Sequence, residues 1–224
     1  MEMIENALKE RRTTLSEYES KEVLRAYGIP VTREKVAHDQ QSFKDAIRDI
    51  PFPLVLKGCA PSLSHKTERN LVRVDVRSEP EAVSAFEELM KDVKDEGGSV
   101  LVQEMIKGRR ELVVGLVRDE QFGPSVMFGL GGIFTEILHD IVFRVAPLDK
   151  RDAFGMMEEI KSRKILDAVR GMPAADKDQL AEILINVGRI GLEQEKVKEI
   201  DINPVILAGS RPVAVDALVV LDGN

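Results

Sequence analysis

The segment that most restricts the possible folds is the last one, KEIDINPVILAGSRPVAVDALVV, residues 198–220. Two apolar runs flank Gly209-Ser210, small residues suited to a tight turn. A two-residue loop at 209–210 and a four-residue loop at 208–211 give the same register. That register sets Asn203 opposite Asp216 and Asp201 opposite Leu218. Side chains alternate between faces along a strand, so Asp201, Asn203 and Asp216 are expected on one face, with Ile200, Ile202 and Val215 on the other.

Three oxygen-bearing side chains in an otherwise apolar hairpin have two explanations. One is a solvated sheet face with Asp and Asn residues near strand ends. The other is a cation: acids on neighbouring strand positions repel each other, and a bound metal relieves this. Two carboxylates and an amide carbonyl are hard donors of the kind Mg2+ takes, leaving its remaining positions to water and phosphate oxygens.

Upstream, apolar runs and helical periodicities alternate. Ser16 and Glu19 have capping-box spacing, and Gly28 followed by Pro30 stops the helix they open; Val23, Leu24 and Tyr27 form its apolar face. Ser42 is expected to start a second helix, with Phe43, Ala46, Ile47 and Ile50 inward. PLVLKG (53–58) reads as a buried strand, LVRVDV (71–76) as the next, and Ser78 and Pro80 open a helix carrying Phe86, Leu89 and Val93. Strands SVLVQEM (99–105), ELVVGLVRD (111–119) and PSVMFGL (124–130) follow, then helices from 149 to about 195, broken near GMPAAD. The order is β-α-β-β-α-β, then mostly hairpins backed by helices. It specifies a mixed α/β (α+β) protein of two lobes with a hinge near 103–110. Residues 1–14 are charged and read as a loosely held arm.

Composition removes several classes of function. A net charge of −7 argues against broad nucleic-acid or anionic-membrane binding. The single cysteine, Cys59, rules out an internal disulfide framework and suits a reducing cytoplasm. No apolar run reaches membrane-spanning length, and the start has no signal-like apolar stretch. There is no HExxH, CxxC or GxSxG.

Other residues are ambiguous alone. Lys57 ends a buried strand and must either snorkel out or meet an anion. Glu104, Met105 and Ile106 end one strand and Glu111 begins the next; such a crossover suits an adenine edge and ribose hydroxyls, but strand-flanking acids are also ordinary. FGLGGIFTE lacks the Walker lysine, and its glycines at 129, 131 and 132 suit a tight turn or a phosphate contact. His65 sits in the long polar loop between two strands, beside Lys66. It is either a surface histidine or a nucleophile toward phosphorus.

Taken together, these pieces resemble the ATP-grasp nucleotide-binding fold. LSEYESKEVLRAYGIPVT, PLVLKGCAPSLSHKT, VLVQEM, ELVVGLVRDEQFGPSVMFGLGGIFTEIL, FRVAPL and EIDINPVIL…VAVDA resemble the β subunit of ADP-forming acetyl-CoA synthetases (acetate–CoA ligases), a family similar to the succinyl-CoA synthetase β subunit. The resemblance spans about residues 15–220. It implies an N-terminal arm and helix over 1–28, one ATP-grasp lobe over 29–102 and a second over 103–224, with nucleotide between the lobes. It further implies Lys57 on nucleotide phosphates, Glu104, Met105 and Ile106 at adenine, Glu111 at ribose, Asn203 and Asp216 on Mg2+ with Asp201 beside them, and His65 relaying phosphate. The implied reaction converts acyl-CoA, ADP and phosphate into acid, CoA and ATP. A CoA-binding α subunit would complete an α2β2 enzyme. One departure stands out: where the family reads H-K-[ST]-D-x-G-G-V, this chain reads HKTERNLV, with Asn70 and Leu71 in place of the glycine pair. A stand-alone carboxylate–amine ligase and a non-catalytic nucleotide-binding subunit are the rival readings.

Overall fold

The computed structural model describes residues 1–59, 71–94, 97–132 and 139–223. The chain divides into two compact units. One comprises Met1–Leu15, Glu19–Val31 and Ile106–Asn224; the other comprises Ser16–Tyr18 and Thr32–Met105.

The N-terminal stretch is not a loose arm. Residues Glu2–Lys9 form helix α1, and its Ile4 and Ala7 are buried in the core of the larger unit. Its charges lie on the other face, which is why the segment reads as polar in sequence. Helix α2 (Glu17–Ala26) begins one residue after Ser16. Its end is a Schellman motif: the Ile29 amide donates to the Leu24 carbonyl at 3.1 Å and the Gly28 amide to that of Arg25 at 3.0 Å. Gly28 has φ +76°, a conformation that glycine adopts without a Cβ penalty.

The smaller unit is built from β1 (Glu34–Ala37), α3 (Gln40–Asp49), β2 (Leu54–Cys59), β3 (Val72–Val76), α4 (Glu79–Val93) and β4 (Ser99–Glu104). This is the expected β-α-β-β-α-β order. Its strands pair antiparallel in the order β1-β4-β2-β3. The cap of α3 is Asp39 rather than Ser42. The Asp39 carboxylate accepts the Ser42 amide at 2.7 Å and the Ser42 hydroxyl accepts the Asp39 amide at 3.1 Å, so Ser42 is the third helical residue of a capping box. Leu54 and Leu56 of β2 and Val100 and Val102 of β4 pack with α3 and α4. There the Phe43 and Phe86 rings stack at 4.3 Å, a contact worth about 1 kcal/mol beyond its buried area.

The larger unit holds β5 (Glu111–Asp119), β6 (Gly123–Leu130), β7 (Ile141–Val145), α5 (Lys150–Glu159), a short 3-10 helix (Arg163–Leu166), α6 (Lys177–Glu193), β8 (Val197–Ala208), β9 (Arg211–Ala214) and β10 (Leu218–Leu221). The strands run β10-β8-β5-β6-β7, with β9 on the remaining length of β8. One face of this sheet (Leu112, Val114, Leu116, Ile200, Ile202) is sealed into the core with Leu180, Leu184 and Val187 of α6.

Two arginines tie loops to this unit through carbonyl oxygens. The buried Arg110 guanidinium donates to the carbonyls of Ile165, Asp167, Pro173 and Gly209 at 2.7–3.2 Å. It thereby fastens the β8–β9 turn to the segment between α5 and α6. Arg118 donates to the carbonyls of Gly191, Gln194 and Val197 near the end of α6, where a cation also complements the helix dipole. Among the described residues, no helix is long and apolar enough to cross a membrane.

Candidate active site

In the larger unit the closing hairpin has the expected register. Ala208 pairs with Arg211 and Val205 with Ala214, so the turn is the two-residue loop at Gly209-Ser210. Asp201 pairs with Leu218 and Ile200 with Val219. Between these two ladders the returning chain is not paired as a strand: residues 215–217 separate β9 from β10, facing 202–204 of β8. Pro204 explains part of the gap. Its carbonyl accepts the Val215 amide at 3.0 Å, but proline has no N–H to return. Asn203 and Asp216 are the middle residues of the two facing segments.

The electrostatics of this face are strained in one direction. Burial pushes the Asp201 carboxyl up to about 6 from an ordinary 3.8, with the nearby charges of Glu199 and Asp216 pushing the same way. Period-two alternation puts Glu199 on the side of Asp201 and Asn203, a neighbour the hairpin pattern alone did not single out. Such a group of oxygens gains by taking up a cation. Among the described residues no three His, Cys, Asp or Glu side chains are grouped to hold a metal by themselves. The donor set of two carboxylates and an amide fits Mg2+, which typically takes one or two carboxylates and completes its shell with substrate phosphate and water.

Glu111 joins this group through the glycine segment after β6. Glu111 opens β5 opposite Ile206 of β8, and its carbonyl accepts the Gly131 amide at 2.9 Å. Gly132 has φ +68°, and its α-carbon lies so near Glu111 that a Cβ there would be 2.3 Å from Oε2. The Gly132 amide also approaches Asn203 Oδ1 at 3.5 Å. The glycines therefore do more than turn the chain: Gly132 fits between the carboxylate of Glu111 and the amide of Asn203. Residues 133–138 lie outside the described part.

In the smaller unit, Lys57 does not snorkel. It is buried on the sheet face opposite the α3/α4 core, on β2 opposite Leu101 of β4, and its Nζ donates to Glu17 Oε1 at 2.6 Å. The anion it meets is thus a residue 40 positions earlier, which no local pattern identifies. Gln103, fully buried, stands on the same face by alternation, opposite Glu34 and Val55. Val55 and Leu101 share that face and are buried too, so Lys57 and Gln103 are polar groups within a mixed buried surface.

Glu104 ends β4. Its carboxylate accepts the Arg33 backbone amide at 2.8 Å and Nε at 3.0 Å, and its own amide donates to the Arg33 carbonyl at 2.9 Å. The Met105 amide donates to the Pro53 carbonyl at 3.2 Å. Ile106 begins the long C-terminal segment of the larger unit. His65 lies outside the described residues. Leu71, at the position of a family glycine, is a core residue of the smaller unit whose carbonyl accepts the Gly58 amide at 2.8 Å. The structure thus brings Glu111, Asp201, Asn203 and Asp216 together in one unit; Lys57, Glu104 and Met105 belong to the other, where Glu104 pairs opposite Leu54, on the sheet face away from Lys57.

Comparison with known proteins agrees with this fold. An ATP-grasp domain family model matches residues 6–221. The β subunit of acetate–CoA ligase [ADP-forming] I from Pyrococcus furiosus is 41% identical over 98% of this chain and 97% of its own. A solved structure of acetyl-coenzyme A synthetase 1 from Ca. Korarchaeum cryptofilum, in complex with coenzyme A, Ca-AMPCP and HgCl+, matches with a TM-score of 0.93 at 41% identity, covering 99% of both chains. Another structure of that protein, with Mg-AMPPCP and a phosphohistidine segment pointing towards the nucleotide binding site, matches with a TM-score of 0.88 at 40% identity over 99% of both chains. The chain belongs to the ATP-grasp family and, within it, to the β subunits of ADP-forming acetate–CoA ligases.

Proposed function

We propose that this chain is the nucleotide-binding half of a reversible ADP-forming acyl-CoA synthetase, acting on acetyl-CoA together with a separate CoA-binding α subunit. The observation that carries the reading is the facing pair Asn203 and Asp216, with Asp201 and Glu111 on the same sheet, in a chain of this family. Asn203 and Asp216 would hold Mg2+, with Asp201 in support; the bound ion supplies charge neutralisation at the phosphates of ADP or ATP. Glu111 would accept hydrogen bonds from the ribose hydroxyls. Glu104, Met105 and Ile106 would line the adenine pocket, and Lys57 would contact the phosphates as a fixed positive charge.

Phosphoryl transfer asks mainly for alignment and charge stabilisation rather than covalent work by the protein. His65 is the exception. Its ring nitrogen would form an N–P bond as the phosphoryl group's bond to its carrier on the α subunit breaks, and that N–P bond would break in turn as a terminal phosphate oxygen of ADP bonds to phosphorus. The complete enzyme would be an α2β2 assembly in the cytoplasm, a compartment suited to a chain with one buried cysteine.

The test is reconstitution with the α subunit. Acetyl-CoA, ADP and phosphate should yield ATP, and radiolabelled ATP should leave acid-labile phosphate on the protein that diminishes in His65→Ala. Nucleotide binding with neither phosphoprotein nor turnover would instead support a non-catalytic subunit, the reading favoured by Asn70 and Leu71. Amine-dependent ADP release would support a stand-alone ligase.

A further inference from the structure

We propose that Glu17 is a positioning residue for Lys57, holding its ammonium charged and fixed on the sheet face opposite the α3/α4 core. The inference rests on the reading of Lys57 as a phosphate-binding residue. Lys57 cannot choose its own direction by solvation: it sits on β2, flanked by β4 and β3, and its side chain is 6% exposed. Glu17 is 1% exposed and 2.6 Å away. A buried ammonium without a partner is driven toward the neutral amine, and a neutral amine does not attract phosphate. The carboxylate of Glu17 removes that tendency and fixes Nζ with a charge-assisted hydrogen bond.

The carboxylate is itself placed for this. Glu17 is the first residue of α2, where the helix dipole favours a negative charge. Its segment, Ser16–Tyr18, goes with the smaller unit while the rest of α2 goes with the larger one. The helix thus begins by supplying the counter-charge of a residue on β2. A salt bridge this deeply buried is a poor way to gain stability, since apolar residues of similar volume do as well or better. Its presence is better explained by the need for a fixed, charged lysine.

The experiment is steady-state kinetics of the holoenzyme in the direction of ATP formation, with Glu17→Gln, Glu17→Asp, Lys57→Met and the Glu17→Gln/Lys57→Met double variant. Glu17→Gln should lower kcat/KM for ADP by about 10- to 100-fold, the range set by losing one buried charged hydrogen bond. The loss should lie mainly in KM for ADP, with KM for acetyl-CoA unchanged, because a smaller folded fraction would lower kcat and leave KM alone. Glu17→Asp, which keeps the charge but withdraws it by one methylene, should fall in between. It decides the matter where Glu17→Gln does not assemble. The double variant should be no worse than Lys57→Met in KM for ADP, since the proposed effect of Glu17 on ADP runs through Lys57. Losses that multiply, or a wild-type KM for ADP in both Glu17 variants beside an impaired Lys57→Met, would overturn the proposal. Unchanged ADP kinetics in Lys57→Met would instead overturn the reading of Lys57 on which it rests.

Discussion

Gly132 and Glu111 are interlocked: a Cβ on Gly132 would stand 2.3 Å from a carboxylate oxygen of Glu111, at a backbone φ of +68°. Gly132→Ala therefore does two separable things. The left-handed backbone costs about 1–2 kcal/mol for a residue with a Cβ, seen as a lower midpoint in thermal or urea unfolding. The carboxylate must also move, which should raise Kd for ADP by about tenfold if Glu111 holds the ribose, since a hydrogen bond to a charged group is worth about 1.5–3 kcal/mol. Calorimetric titration of ADP into the variant checks the second effect independently of the first.

Asp201 should leave a mark on the pH dependence of stability. Its carboxyl is raised from 3.8 to about 6 by burial and by Glu199 and Asp216, so the folded chain holds that proton more tightly than the unfolded chain. Between about pH 4 and pH 6 the folded state binds more protons. Its contribution to stability is therefore full in acid and is lost as pH rises through that window. Asp201→Asn should abolish this part of the slope and raise stability at pH 7, without divalent ions, by on the order of 2 kcal/mol. Urea midpoints of both proteins from pH 4 to 8 provide the measurement.

Arg110 should tolerate no substitute. Four carbonyls from three separate places converge on one planar guanidinium, and lysine has neither the fork nor the number of donors in that plane. Arg110→Lys should cost about 3 kcal/mol or more, because several buried carbonyls lose their donor. Hydrogen exchange should show the largest loss of protection at the Gly209 turn and around Pro173.

Much of this molecule is legible before any coordinates, where a pattern is local. The closing register follows from one turn, and it sets Asp201 against Leu218 and Val205 against Ala214, as in the structure. The smaller unit's element order follows from its periodicities. Local pattern also misled: residues 1–14 read as a loose arm because six of them are charged, although Ile4 and Ala7 mark a buried face of α1. Ser42 reads as the helix start because Asp39, the true cap, sits in a run of polar residues without a hydrophobic boundary. The partners of Lys57 and Glu111 were illegible for a different reason. Glu17 lies 40 residues from Lys57, and Gly132 meets Glu111 through a close approach that a glycine-rich string does not specify. Such contacts are set by packing, which sequence spacing does not encode.

The central claim is that Asn203 and Asp216 together bind the metal that accompanies the nucleotide. Calorimetric titration of ADP with and without Mg2+ tests it, in the wild type and in folded Asn203→Ala and Asp216→Asn variants. The account expects Mg2+ to tighten ADP binding by about tenfold or more in the wild type, and each substitution to remove most of that gain, the scale of one lost charged contact. Variants that keep the full Mg2+-dependent gain would contradict it.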